Sequence, residues 1–364
     1  MLDSLGEDGG VRALFVLGSN VVVSAPNALH VEETLKALDF LVVADFFLSE
    51  TAQLADVVFP SAQWAEEEGT MTNLEGRVIR RRRAFLPPPG LCSDIDLLID
   101  LARRLGKGQF FSFPDPESVF NELRRASAGG VADYSGITYQ KIEESDGVFW
   151  PCPAEDHPGT PRLFTDGFST PNGKARFHPV QHQPPAEEPD ENYPFYLTTG
   201  RVLAHYQSGA QTRRVSRLQE MMPHPLVEMH PTTARQYALE DGDVVTLVSR
   251  RGSASFKTRL TPGIRPDTLF APFHWGGAQS ANRLTNPALD PISRMPEFKV
   301  CAVRIERFKE DTRVCEKSTV RGEPLRQAQD RLVEPLSGEI VLRQTQDERP
   351  EVPTCFTPSE RVIK

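Results

Sequence analysis

Long apolar runs are missing from this 364-residue chain; none approaches the ~18 residues that a membrane-spanning helix requires. Nor is there a basic excess, since the formal net charge is −9, and sequence-independent nucleic-acid binding leaves the opposite footprint. The one basic run, Arg80 to Arg83, reads as a solvated loop. Basic residues are absent from the first ten positions as well, where Asp3, Glu7 and Asp8 stand, so no secretory leader is legible in the chain as given. Cysteine is sparse and odd in number: five, at 92, 152, 301, 315 and 355, with no C-x-x-C and no histidine at metal-ligand spacing. That supports neither a disulfide framework nor a zinc or iron–sulfur site in these residues. Reduced thiols in a cytoplasmic protein are the simpler account.

What remains, 39% hydrophobic and 25% charged, is the composition of a globular protein with two or three cores. Ala13 to Leu17 and Phe40 to Ala44 are continuous apolar runs, the pattern of strands buried on both faces. Val31, Leu35 and Leu38 recur between them at helical spacing, which predicts a βαβ unit continued by Asp56 to Phe59. Ser93 with Asp96 predicts a helix start, with Ile95, Leu98, Ala102 and Leu105 on one face and Gly106 at the end. Residues 1–110 therefore read as one α/β segment. Prolines and glycines punctuate 111–192, read as a connecting segment and linker. From Tyr193 to 307, short strands predicted at Phe195–Thr198, Val244–Val248, Ala254–Leu260, Thr268–Phe273 and Lys299–Ile305, with one helix at Thr232–Leu239 behind Pro231, suggest a small closed barrel. In 308–364, Leu325 to Asp330 recurs as Leu342 to Asp347 within a polar segment that offers little to bury, which predicts disorder.

Two polar clusters stand out. Gly18-Ser-Asn20 follows the first strand, where glycine lets a ligand approach backbone and the carboxyl edge of a parallel sheet makes a crevice. The cluster lacks G-x-G-x-x-G and a P-loop lysine, so on these residues alone a structural turn is the favoured reading. Ala44-Asp45 ends the next strand on the same edge; its carboxylate suits the N–H donors of guanine, or serves as a loop aspartate or helix cap. The stretch Thr198 to Gly209 concentrates Thr199, Arg201, His205, Gln207 and Ser208, the donors and acceptors that a pterin or a diphosphate needs, although a polar surface loop has the same composition. His205 has no second ligand nearby, which favours hydrogen bonding over metal binding.

Ser49 to Pro60, Glu67 to Arg77, Trp150 to Pro153, His157 to Thr160, Gly173 to Phe177 and Thr199 to Arg201 together resemble the C-terminal half of molybdopterin oxidoreductases. Gly200 to Arg214 is most similar to assimilatory nitrate reductases, with formate dehydrogenases second. The resemblance implies an α/β plus β fold, a Rossmann-like parallel-sheet domain followed by a double-psi β-barrel. It implies cofactor contacts at Asn20, Ala44, Asp45, Asp94, Thr199, Gly200, Arg201, Val202, Leu203, Ala204, His205, Tyr206, Gln207, Ser208, Phe273, Asn282 and Lys299, and no catalytic or metal-ligating residue on this chain. The implied cofactor is bis-molybdopterin guanine dinucleotide with molybdenum or tungsten. A [4Fe–4S] cluster and the cysteine or selenocysteine ligand are expected upstream, on an N-terminal half that is either lost or separately encoded. That half and an electron-donor or electron-acceptor protein are the implied partners. Glu67 departs from relatives that place a lysine there. A formate dehydrogenase fragment, or a non-catalytic cofactor-binding module, is the alternative.

Overall fold

The apolar runs Ala13–Leu17 (β1) and Phe40–Asp45 (β2) pair in parallel, with Leu17 opposite Ala44. This is a computed structural model, and it describes residues 2–7 and 9–307; the repeat after 308, Cys315 and Cys355 lie outside the described residues. Between the strands run a short turn of helix, Val21–Ser24 (α1), and Ala28–Lys36 (α2), whose Val31 and Leu35 are buried together with Leu38 just beyond its end. Val57–Pro60 (β3) completes a three-stranded sheet in the order β1-β2-β3. Burial on both faces is expected of both runs but belongs to β2 alone: in β1 only Val16 is buried, because among the described residues β1 is an edge strand.

The described residues form two compact units, one of 2–59 with 183–307 and one of 60–182. In the second, Gly69–Thr72 (β4), Arg77–Arg81 (β5) and Val148–Phe149 (β6) form an antiparallel sheet. The helices Asp94–Arg104 (α3), Pro116–Ser127 (α4) and Tyr139–Glu144 (α5) belong to the same unit. Val78, Phe120, Ile137, Ile142 and Cys152 make its core. Two expectations are corrected here. Arg80 and Arg81 are not in a solvated loop but on β5, with Arg80 over the Tyr139 ring at 3.8 Å and near Glu68 and Glu143. Ser93 does cap α3, accepting from the Asp96 amide at 3.1 Å, but the buried face runs through Leu97 and Ala102, leaving Leu98 and Leu105 exposed.

In the first unit the chain from 195 closes a six-stranded barrel. Its strands are Phe195–Gly200 (β7), Leu226–Met229 (β8), Val244–Val248 (β9), Ser253–Leu260 (β10), Thr268–Pro272 (β11) and Cys301–Arg307 (β12), in the order β10-β8-β11-β7-β12-β9. The pairs β10/β8 and β11/β7 are parallel and the others antiparallel. Strict alternation of buried and outward residues in β9 and β10 packs Val245, Leu247, Ala254 and Phe256 against Leu197, Val227, Met229 and Leu269. Two helices rather than one lie along the barrel segment: Ser216–Met221 (α6) and Pro231–Gln236 (α7), the latter started by Pro231 and capped by His230. Asn282 fastens the barrel to the β1–β3 sheet within this unit, its amide donating to the Val23 carbonyl at 2.7 Å, and the Asn27 amide donates to the Thr285 carbonyl at 3.2 Å.

Candidate cofactor site

Within that unit, the carboxyl end of β1, Ser24 of α1, the end of β7 with the loop after it, and Phe273, Asn282, Phe298 and Lys299 enclose a cleft of about 480 Å³. Gly18 leaves β1 with φ +54°, a left-handed conformation that favours glycine. Asn20 lines the cleft with its amide fully oriented: Nδ2 donates to Glu50 at 2.7 Å, and Oδ1 accepts from the Thr51 hydroxyl at 2.9 Å and the Thr51 amide at 3.2 Å. Glu50 also takes Arg213 at 2.9 Å. Burial alone would push the Glu50 carboxyl up, but Arg213 and Asn20 hold it below the usual glutamate range.

On the opposite wall stand Arg201, Gln207, Ser208, Phe273 and Lys299. Lys299 Nζ donates to the Thr199 carbonyl at 2.6 Å and lies 5.8 Å from the Phe273 ring centroid. Burial, and then the neighbouring Arg201, pull its ammonium below the usual lysine range. Arg201 makes no hydrogen bond or ion pair to the described residues, and no carboxylate lines the cleft. Two cations facing one cavity with no acid among its walls fit an anion, and the Asn20, Ser19 and Ser208 side chains add neutral hydrogen-bonding groups.

The structure brings Asn20, Thr199, Arg201, Gln207, Ser208, Phe273, Asn282 and Lys299 to the cleft, out of the residues singled out from sequence. Asp45 ends β2 as expected, but its carboxylate is buried and accepts from the Ser49 hydroxyl at 2.8 Å. Ala44 is buried beneath it. His205 is a core histidine, its Nε2 donating to the Met222 carbonyl at 2.9 Å and its Nδ1 meeting the Thr212 hydroxyl at 3.2 Å. Ala204 is buried too, while Leu203 and Tyr206 are exposed. The Val202 amide is spent on His274, and Gly200 sits against the Phe270 ring, where a Cβ would lie 2.5 Å from it. Asp94 opens α3 in the other unit, with its amide donating to Glu67 at 3.3 Å. Burial raises the Glu67 carboxyl above the usual range, against the Asp94 amide and Arg81, which pull it down.

Sequence reasoning missed four contributors. Ser24 and Phe298 line the cleft; Glu50 and His274 orient its walls. Phe298 and His274 had neighbouring signals, standing beside Lys299 and Phe273, and Glu50 lies within the Ser49 to Pro60 motif; Ser24 had none.

Residues 3–104 match the molybdopterin oxidoreductase family and residues 195–302 match the molydopterin dinucleotide binding domain. The chain belongs to the molybdopterin oxidoreductase family. It is 49% identical over 301 residues to the assimilatory nitrate reductase catalytic subunit of Bacillus subtilis, covering 82% of this chain and 42% of that protein. It is 45% identical over 308 residues to the F420-dependent formate dehydrogenase subunit alpha of Methanocaldococcus jannaschii, covering 85% of this chain and 45% of that protein. The chain thus spans less than half the length of these curated relatives. Acetylene hydratase from Pelobacter acetylenicus shares the fold, with a TM-score of 0.67 at 19% identity over 84% of this chain and 46% of that one. This molybdopterin oxidoreductase chain therefore carries a molybdopterin dinucleotide-binding domain built around the barrel. No helix among the described residues is long and apolar enough to cross a membrane.

Proposed function

We propose that this chain is the cofactor-holding C-terminal part of a molybdenum- or tungsten-dependent bis-molybdopterin guanine dinucleotide oxidoreductase, most like a nitrate reductase and working in the cytoplasm. The observation that carries the reading is the cleft with Arg201 and Lys299 on its wall and no acid to neutralise them. Such a pair grips a diphosphate, while Asn20 and Ser208 offer hydrogen bonds to the sugar or base beside it. When bound, the cofactor supplies oxygen-atom or hydride transfer at its metal. The residues of this chain bind it, orient it and set the charge around it. The parallel β1/β2 pair with its helical crossover supports a Rossmann-like reading of a domain over 1–110, and the two parallel pairs in the barrel support a double-psi reading of 193–307, with 111–192 connecting them.

Formate oxidation is the second reading, favoured by the 45% identity to the formate dehydrogenase subunit. An N-terminal half with the iron–sulfur cluster and metal ligand, and an electron-transfer protein, are the partners this reading requires. The test is reconstitution. Arg201→Ala should weaken retention of pterin guanine dinucleotide about ten- to a hundredfold, the equivalent of one charge-assisted bond of roughly 1.5 to 3 kcal/mol. With nitrate or formate and a viologen dye, the 364-residue chain should show no turnover until a matching N-terminal half is added. Robust turnover by this chain alone would sink the reading.

A further inference from the structure

His274 is the second residue after β11 and is completely buried. Its ring lies between the two ends of the loop that carries Arg201, Gln207 and Ser208. Nε2 accepts the Val202 amide proton at 3.0 Å, so the ring proton sits on Nδ1, where it is donated to the Gln207 carbonyl at 2.6 Å. The backbone it holds is not relaxed: Gln207 has φ +49°, a conformation that a residue with a side chain adopts only when its surroundings impose it. Gly209 stands so close that a Cβ there would lie 2.4 Å from the His274 carbonyl oxygen. The loop and the histidine are therefore one fitted unit.

We propose that His274, as the neutral Nδ1–H tautomer, is the positioning residue that holds the 201–208 loop in the shape that receives the dinucleotide diphosphate. This deepens the reading of the cleft given above and rests on it. A second proton would have to enter at Nε2, where it meets the Val202 N–H instead of accepting from it, and both ends of the loop cannot then be held. The charged and titratable groups around the ring all oppose that proton: after burial itself, His205, whose ring centroid is 6.0 Å away, then Arg201 and Arg213. Only the Gln207 carbonyl favours it, and the balance holds the imidazole below the usual histidine range. A cationic cleft and a neutral latch thus support each other, since Arg201 and Arg213 help to keep His274 uncharged.

The experiment uses the full chain and diguanosine diphosphate (GppG), a dinucleotide whose bridging diphosphate keeps a constant charge between pH 5 and 8. Binding is followed by calorimetry at pH 7.5, and ¹⁵N-histidine NMR reports the tautomer. The expected results are an Nδ1–H ring that stays neutral at pH 6.5, and a loss of GppG affinity of about tenfold or more in His274→Gln and His274→Ala. Should either variant fail to fold, the NMR readout on the unaltered protein still decides: an Nε2–H tautomer, or a ring charged at pH 6.5, overturns the proposal. So does unchanged GppG affinity in a folded variant. If the unaltered protein shows the expected tautomer but binds no GppG, the reading of the cleft fails, and the proposal with it.

Discussion

His205 and His274 come from different segments and sit with their rings 6.0 Å apart, both buried, yet they relate to the cleft in different ways. His205 lies on the loop itself and turns inward, fastened to Met222 and Thr212 and meeting Trp275 edge-on at 4.9 Å. His274 lies outside the loop and holds its two ends. One side stabilises the barrel's surroundings and the other shapes the cleft, while Arg201, Gln207 and Ser208 face the ligand space. A polar loop in a binding domain therefore contains two kinds of residue: those offered to the ligand and those spent on building the loop.

Three substitutions and one titration test that division. The largest effect is expected from Gly209→Val, which places a β-branched side chain at φ +72° against the His274 carbonyl and Arg213. It should remove detectable GppG binding and lower the melting temperature, and wild-type binding would show that the loop tolerates repacking. Next comes His205→Ala, which removes two buried hydrogen bonds and an aromatic contact and should cost roughly 2 to 4 kcal/mol of stability by urea unfolding. A stable variant with lost binding would instead place His205 among the ligand-facing residues.

The third effect is smaller and depends on pH. The His274 ring is held below its ordinary value of 6.5, so above that pH it is neutral in both folded and unfolded chains and contributes no pH dependence. As pH falls below 6.5 the unfolded chain takes a proton that the fold refuses, and stability should decline at up to about 1.4 kcal/mol per pH unit until the folded ring titrates. Glu50 and Glu187 act in a lower window, because both are held below 4.5 and lend stability that is lost only as pH falls past that value. Urea midpoints at pH 7 and pH 5.5, compared between the unaltered protein and His274→Gln, isolate this ring from Glu67, whose raised carboxyl shifts stability in the opposite direction, and the same pH dependence in both proteins would contradict its neutral burial. The smallest effect on the fold should come from Lys299→Met: melting temperature nearly unchanged, but GppG binding weakened and its dependence on salt reduced. A large loss of stability would mean that Lys299 serves the barrel through its bond to Thr199 more than it serves the cleft.

The barrel was legible from sequence because β9 and β10 each present one face to the core, so alternation marks them. Leu226–Met229 escaped notice, since four residues between Pro225 and His230 carry no such period. Unit 60–182 was hardest to read. Its β5 is built of arginines whose stems lie along the strand and whose heads meet Glu67, Glu68 and Glu143, so charge concealed a strand. The start of α4 did carry a signal, Pro116 after Asp115, which forms a capping box with Ser118, but the surrounding prolines and glycines masked it. In the site, Arg201 and Lys299 could be picked out because cations recognise phosphate by type. His274 could not, because nothing in the residues around it announces that its ring will be enclosed beneath a loop some seventy positions earlier.

The cleft edged by the end of β1 and the 201–208 loop is the place where the diphosphate of a guanine dinucleotide should bind. A crystal structure of the chain grown with GppG tests it most directly. The account predicts the diphosphate within hydrogen-bonding reach of Arg201 and Lys299, with a guanosine extending toward Asn20. GppG bound at another surface, with Arg201 and Lys299 left facing solvent, would contradict it.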